Sequence, residues 1–108
     1  MAHANLTSAN LSSANLITVY LMYAKLKNAN LADSVARSCQ FGFADLEGAD
    51  LSGSDIDGAV FNACQLQGSI MTCLNIERAS FTGAIFDDKT IWPDGFDPAK
   101  AGCVAANQ

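Results

Sequence analysis

The sequence predicts an all-β solenoid, in which the chain winds into a four-sided β-helix of about four coils and ends in a short capping segment. Two patterns predict it: a five-residue hydrophobic repeat that keeps one phase, and a similarity between residues 20 apart. The composition agrees, because 50% of the 108 residues are hydrophobic and only 16% are charged, as expected for one small domain with a filled core. No stretch approaches the roughly 20 continuous apolar residues of a membrane span.

A large apolar residue recurs at every fifth position from Leu6 to Phe96. Of these 19 central positions, 18 hold Leu, Ile, Met or Phe, and the positions two residues earlier are small in 16 of 18 cases. We predict that both sets point inward. The central core positions include Leu6, Leu11, Leu16, Leu26, Leu31, Phe41, Leu46, Leu51, Phe61, Leu66 and Phe81, and the small core positions include Ala4, Ala9, Ala14, Ala24, Ala29, Ala44 and Ala49.

A period of five fits neither a helix nor a strand. Five helical steps advance about 500°, and five strand steps turn a side chain to the opposite face, so the chain must bend once per repeat. Glycines at the second position after the central residue, such as Gly48 and Gly53, are suited to the positive φ of such bends. Residues 20 apart resemble each other, as in the series Phe41, Phe61 and Phe81, which favours four bends per coil.

The tandem motif Ala-Asn/Asp-Leu, as in Ala4-Asn5-Leu6 and Ala44-Asp45-Leu46, resembles the pentapeptide repeat family. The resemblance implies a right-handed quadrilateral β-helix over residues 4–88 and a C-terminal cap and tail over residues 89–108. The segment Trp92 to Pro98 is similar to the closing segment of cyanobacterial and plastid members. The pattern departs at Val19, at Ala36, and at the small positions of Leu74 and Lys89. We expect the Asn and Asp residues before each central position to form side-chain ladders along the coils.

The two ends of the predicted solenoid differ. At the C-terminal end, Ile91 and Phe96 continue the inward phase, Trp92 can cover the last coil, and Asp97-Pro98 can cap a final helical turn. At the N-terminal end the repeat starts by residue 4, so no segment covers the first coil, although the ends of solenoids normally need a cap. Either the chain continues further in a longer protein, or two such ends stack as a homodimer.

Large apolar residues at outward positions predict a protein-binding surface. Tyr23 and Phe43 lie one coil apart in the same column, whereas most other outward positions are polar. The alternative is that stacked aromatic side chains only stabilise the sheet face. This predicted surface, called here the aromatic face, consists of Tyr20, Met22, Tyr23, Phe43 and Val60.

The net charge of −5 is concentrated on the third coil, residues 44–63. Its acidic band consists of Asp45, Glu47, Asp50, Asp55 and Asp57. The resemblance implies one use for it, a mimic of DNA that binds a type II topoisomerase such as DNA gyrase. The alternative is solubility combined with a repeat in which Asp replaces Asn. The acidic balance argues against direct binding of nucleic acid.

The sequence offers no catalytic, cofactor or metal site. His3 is the single histidine and is expected to lie at a frayed end, and no phosphate-binding or nucleophile motif occurs. Cys39 and Cys64 occupy small inward positions and are expected to be buried thiols, whereas Cys73 is predicted to point outward and could pair with Cys103. We therefore predict a non-enzymatic structural or interaction module without a cofactor. Its unidentified partner is another protein or a second copy of the chain, and its compartment is cytoplasmic, or the thylakoid lumen if a targeting segment precedes this chain.

Overall fold

The computed structural model describes residues 2–106, so residues 107 and 108 of the predicted tail lie outside the described part. It contains a 3-10 helix, Ile76–Arg78, and two strands, β1 at Ile85–Phe86 and β2 at Val104–Ala105. The strands pair in parallel, with Ile85 opposite Val104. Elsewhere, short extended segments alternate with turns. The Cα trace measures 30 × 23 × 19 Å, and no helix within residues 2–106 is long and apolar enough to cross a membrane.

Parallel bridges connect residues 20 apart, so one coil contains four five-residue sides. The series Asn5, Lys25, Asp45, Gln65 and Ile85 runs from coil to coil in this way. At each step two hydrogen bonds form, as where the Lys25 N–H donates to the Ala4 carbonyl at 2.8 Å and the Leu6 N–H donates to the Lys25 carbonyl at 2.7 Å. This is the coil length that the sequence periodicity predicts.

The core lies inside the coils and consists of the central and small inward residues. From Leu21 to Leu66 the central residues have no exposed surface, and Ala36 is equally buried. The small residues of coils two and three, such as Ala24 and Ala44, are buried as well. In the first coil Leu6 and Leu11 are only half-buried, as are Ala4, Ala9 and Ala14. Burial is therefore most complete in the middle of the molecule.

The bends adopt positive φ whether or not they contain glycine. Gly48 and Gly53 have φ of 69° and 71°, as the sequence predicts. Thr18, Tyr23 and Phe43 have φ of 58°, 61° and 61°, in a region that favours glycine. In the first two coils every bend carries a side chain, and that side chain points outward from a corner of the solenoid.

Most Asn and Asp side chains before the central residues bond within their own coil. The Asn10 Oδ1 atom accepts the N–H of Ser12 at 3.0 Å, and the Asp50 Oδ1 atom accepts the N–H of Ser52 at 2.9 Å. The same contact to the residue two positions later recurs at Asn5 and Asp45. These short polar side chains therefore stabilise each bend within its own coil. The predicted ladders along the coils are wrong for these residues, and within residues 2–106 the one contact of the predicted kind is the hydrogen bond that the Asn75 side chain donates to Asp55 Oδ1 at 3.0 Å.

Of the two small inward positions that hold an unsuitable residue, the first, Leu74, shifts the register by one residue. Asp55 pairs with Leu74, 19 residues later, and the next bridge, from Val60 to Ser80, has the usual spacing of 20. Leucine is too large for the small inward position, so the preceding side is shortened and Leu74 is 57% exposed. Cys73 takes the inward place, where its thiol lies 3.4 Å from the Leu51 carbonyl. The prediction of an outward Cys73 is therefore wrong.

The second departure, Lys89, shifts the register in the opposite direction. Ile70 pairs with Ile91, 21 residues later, because one extra residue loops out before the coil resumes. Lys89 is exposed, and Thr90 is buried, with its hydroxyl donating to the Leu66 carbonyl at 2.8 Å. Ile91 is consequently 51% exposed, so the prediction that it points inward is wrong.

The C-terminal segment closes the last coil with aromatic side chains. The Trp92 ring meets the Phe81 ring edge-on at 5.7 Å and lies 4.9 Å from the Phe96 ring. The residues after Asp97 form a turn without an assigned helix, and the chain then pairs with β1 through β2. Cys103 is buried and its thiol is free, as is that of Cys73, so no disulfide ties the tail to the coil.

Candidate interaction surface

Three exposed rings stack along one corner of the solenoid. The His3 and Tyr23 rings lie 5.0 Å apart and the Tyr23 and Phe43 rings 4.9 Å apart, within 6° of parallel in both pairs. Tyr23 is 50% exposed and Phe43 is 58% exposed. We call His3, Tyr23 and Phe43 the outer stack. Its spacing is close to that of neighbouring β-strands, because each ring belongs to a successive coil.

The backbone at the corners places these rings. All three residues have positive φ, which turns their side chains away from the core at the end of a side. The His3 N–H donates to the Met22 carbonyl at 3.0 Å, so His3 belongs to the coil and the expectation of a frayed end is wrong. Its place in the stack could have been found from the spacing of 20 between His3, Tyr23 and Phe43.

The structure unites most of the predicted aromatic face but separates Val60 from it. Tyr20 is 61% exposed, and Met22, which is 37% exposed, lies over Gly42, since a Cβ atom at residue 42 would be 3.8 Å from its Cγ. Val60 is half-buried and lies two coils from Tyr20, with Gln40 between them in the same column. Ile17, which the sequence reasoning missed, adds another exposed apolar side chain on the preceding side.

The outer stack lies beside an uncharged first coil. Residues 4–23 contain no Asp, Glu, Lys or Arg. Charged residues begin further along the stack, because Lys25 follows Tyr23 by two residues and Asp45 follows Phe43 by two residues. On the first coil the aromatic face is therefore an apolar surface beside uncharged polar side chains, an arrangement typical of protein-binding sites.

The acidic band surrounds the third coil and does not run along the solenoid axis. Its five residues occupy three consecutive sides, residues 44–48, 49–53 and 54–58. Neighbouring coils also supply cations: the Arg37 Nε atom lies 2.7 Å from Asp55 Oδ2, and the Arg78 Nη1 atom lies 3.4 Å from Asp57 Oδ2. Two of the five carboxylates are thus paired with arginines of neighbouring coils.

Asp55 is the acidic residue with the most defined environment. Its Oδ1 atom accepts a hydrogen bond from the Asn75 side chain at 3.0 Å, and its side chain is only 14% exposed. The hydrogen bond from Asn75, followed by that from Arg37, lowers the pKa of Asp55 below its ordinary value. The carboxylate therefore connects three coils and contributes to the structure of the solenoid.

The other free thiols and the half-buried leucines of the first coil, Leu6 and Leu11, complete the candidate sites. Burial raises the pKa of Cys39 and of Cys64 to about 12, so both are neutral, unreactive thiols at neutral pH. Within residues 2–106 no group of three or more His, Cys, Asp or Glu side chains is arranged to hold a metal ion.

Leu6 and Leu11 remain half-buried at the N-terminal edge. This edge is the other surface, besides the aromatic face, at which the sequence predicts a homodimer contact.

Comparison with known proteins identifies the repeat. The family model for pentapeptide repeats matches eight copies, over residues 1–35, 19–53, 37–72 and 49–88. The crystal structure of alr5209, a pentapeptide repeat protein from Nostoc PCC 7120, is 32% identical, with 95% of this chain and 81% of that chain covered and a TM-score of 0.50. No curated protein sequence matches the chain.

A second solved structure supports the fold at lower identity. HetL, a pentapeptide repeat protein involved in heterocyst differentiation regulation in the cyanobacterium Nostoc sp. strain PCC 7120, is 19% identical with a TM-score of 0.64. The match covers 97% of this chain but 58% of HetL, so the chain spans little more than half of that protein. The solved relatives are proteins whose repeats form a right-handed β-helix. The chain belongs to the pentapeptide repeat family.

Proposed function

We propose that this chain is a non-enzymatic module for protein association, built on a right-handed quadrilateral β-helix over residues 4–88 with a cap over residues 89–108. The observation that carries the proposal is the outer stack, in which Tyr23 and Phe43 are about half exposed although their rings are held parallel by successive coils. Rigid aromatic side chains lose little conformational entropy on binding and are enriched in interfaces.

The partner that this surface fits best is a second copy of the chain. The first coil carries no charge, so two copies can bring their aromatic faces together without the repulsion expected from a net charge of −5. A pair related by a twofold axis would bury Tyr20, Met22 and the outer stack on both copies. Each copy would remove the same exposed apolar surface from water, which favours association.

Sedimentation of a double variant tests this proposal. We expect Tyr23→Ser with Phe43→Ser to weaken self-association in analytical ultracentrifugation, because it removes the two most central rings of the aromatic face. Leu74→Ser is the matched control, since Leu74 is 57% exposed but lies outside that face. A wild-type chain that stays monomeric at all concentrations contradicts the proposal. Association that the double variant leaves unchanged also contradicts it and directs attention to the N-terminal edge at Leu6 and Leu11.

A DNA mimic that acts on DNA gyrase is supported less well by the same geometry. Mimicry of a duplex requires negative charge along the length of a surface, whereas the acidic band surrounds one coil and two of its members contact arginines. An assay of DNA supercoiling by gyrase tests this function. Inhibition by this chain would support it if the inhibition is lost in a variant in which every residue of the acidic band is replaced by its amide: Asp45, Glu47, Asp50, Asp55 and Asp57.

A further inference from the structure

A cavity lies between the last complete coil and the C-terminal cap. It has a volume of about 270 Å³ and is lined by Cys73, Ile76, Glu77, Pro93, Asp94, Gly95 and Phe96. We propose that this cavity binds an organic cation with an apolar stem, of the kind carried by a lysine or arginine side chain or by a small free amine. The site is independent of the aromatic face.

The cavity lies where the coil is irregular, next to the register shift at Leu74. The shortened side buries Cys73, which is 8% exposed, and the chain then enters the 3-10 helix Ile76–Arg78. The cap crosses this irregular region at residues 93–96 and does not follow the coil closely. Gly95 has φ of 83°, and a Cβ atom there would meet nothing within 4 Å, so the loop is not packed against the coil at this residue.

The walls supply an apolar surface for the stem of a ligand. Ile76 is 6% exposed, and the half-buried ring of Phe96 lines the cavity beside Pro93. The Phe96 ring is held in place from the core side, because it stacks on Trp92 at 4.9 Å and meets Phe81 edge-on at 5.7 Å. A fixed aromatic ring at the wall also attracts a cation through its π system.

The charges at the cavity are acidic only. Glu77 and Asp94 are the charged residues of the lining, which contains no lysine, arginine or histidine. Arg78, the next residue, directs its guanidinium to Asp57 at 3.4 Å. Burial raises the pKa of the Cys73 thiol to about 11, so at neutral pH the thiol adds no charge to the cavity. A cation is therefore attracted, an anion is repelled, and a neutral ligand gains apolar contacts alone.

Two separate titrations followed by ¹H–¹⁵N NMR test the proposal, one with n-butylammonium and one with n-butanol, its neutral counterpart. We expect n-butylammonium to shift the amides of Ile76, Glu77, Gly95 and Phe96 at millimolar concentration, and n-butanol to bind more weakly. Glu77→Gln and Asp94→Asn should each weaken ammonium binding by about 2- to 5-fold, the range for one partly exposed ion pair. Neither should change the response to n-butanol. Asp88→Asn, an exposed carboxylate outside the lining, is the control and should leave both unchanged.

A capped peptide distinguishes the two sources of the cation. Binding of acetyl-Gly-Lys-Gly-amide at the same amides supports a side chain of a partner protein, and binding of n-butylammonium alone supports a free amine. The proposal is overturned if n-butanol binds as tightly as n-butylammonium, or if the four amides do not respond to the ammonium ion. It is also overturned if Glu77→Gln and Asp94→Asn together leave ammonium binding unchanged while the spectra show a folded protein.

Discussion

The molecule contains two stacks of aromatic rings with the same spacing and opposite burial. In the inner stack the Phe41 and Phe61 rings lie 4.8 Å apart and the Phe61 and Phe81 rings 5.0 Å apart, and no more than 1% of any of these residues is exposed. In the outer stack the distances are 5.0 and 4.9 Å, but Tyr23 and Phe43 are half exposed. The coil repeat alone thus produces parallel rings both inside and outside the solenoid.

The comparison shows that the spacing of the rings and their contribution to stability have different causes. Ring spacing follows from the 20-residue coil, whereas the free energy of folding depends on how much apolar surface each ring removes from water. The inner stack therefore contributes mainly to stability. The outer stack adds less to stability and leaves ring surface available for a partner. Four sets of substitutions test or sharpen this distinction, and they are given from the largest expected effect to the smallest.

The first compares the same truncation in both stacks. Phe61→Ala should lower the free energy of unfolding by about 3–5 kcal/mol, because it leaves a cavity between two neighbouring rings in a fully buried column. Phe43→Ala should cost less than about 1 kcal/mol, since its ring is 58% exposed. Urea denaturation of the two variants measures both values, and equal losses would contradict the division into an inner and an outer stack.

The second test concerns the corners, the bends at which the backbone has positive φ. The outer stack has side chains at its corners, whereas other columns have glycine at the corners of the third coil, as at Gly48. Gly48 has φ of 69°, and a Cβ atom there would collide with the Asn28 Oδ1 atom. Gly48→Ala should therefore cost about 1–2 kcal/mol from left-handed strain, with a smaller added cost for moving the exposed Asn28 side chain to another rotamer.

Gly68→Ala is the matched control for the corner substitution. It has the same φ of 69°, but its Cβ atom would lie at an ordinary 3.9 Å from Gly48. This variant should cost only the strain, about 1–2 kcal/mol. Asn28→Ala should restore part of the stability lost in Gly48→Ala, as a double-mutant cycle in urea would show. Equal costs at Gly48 and Gly68 would mean that the Asn28 side chain does not restrict the corner.

The third test concerns Asp55 in the acidic band of the third coil. This band contrasts with the uncharged first coil beside the outer stack. The pKa of Asp55 is lowered in the folded protein from its ordinary value of 3.8, so its ionised form stabilises the fold above that pH, and this contribution is lost as the pH falls below it. Asp55→Asn should therefore be less stable than the wild type at pH 7 and equally stable in acid. A difference in thermal stability that does not change with pH would refute this contribution.

The fourth extends the outer stack by one ring. Ala63 follows Phe43 in the same column and already has φ of 60°, so Ala63→Phe needs no new backbone conformation. The added ring should change stability by about 1 kcal/mol or less, with the ring pair itself stabilising. If the aromatic face mediates self-association, the variant should also associate more tightly in sedimentation, whereas Ala63→Ser should not. Unchanged association would limit the binding surface to the first two coils.

Several features of the site could be predicted from the sequence because the repeat transmits position over long distances. Tyr23 and Phe43 are 20 residues apart, so their shared column follows from the coil length. Ile17 gives no periodic signal, since it is a single outward apolar residue in its column, whereas His3 follows the same spacing of 20 and could have been included. Tyr20, Gln40 and Val60 lie in one column, so the separation of Val60 from Tyr20 by Gln40 becomes evident only when successive coils are aligned.

The sequence by itself determined the inward columns and the length of the coil, because a five-residue period in phase admits few paths for the chain. It also marked Leu74 and Lys89 as residues that do not suit a small inward position. Only the tertiary structure decided how each is accommodated, since shortening one side and looping out a residue both remove an unsuitable side chain from the core. The choice depends on the bonds available in neighbouring coils, such as the contacts of Cys73 to Leu51 and of Thr90 to Leu66. Cys73 and Ile76, which lie beside the first of those two adjustments, line the cavity next to the cap.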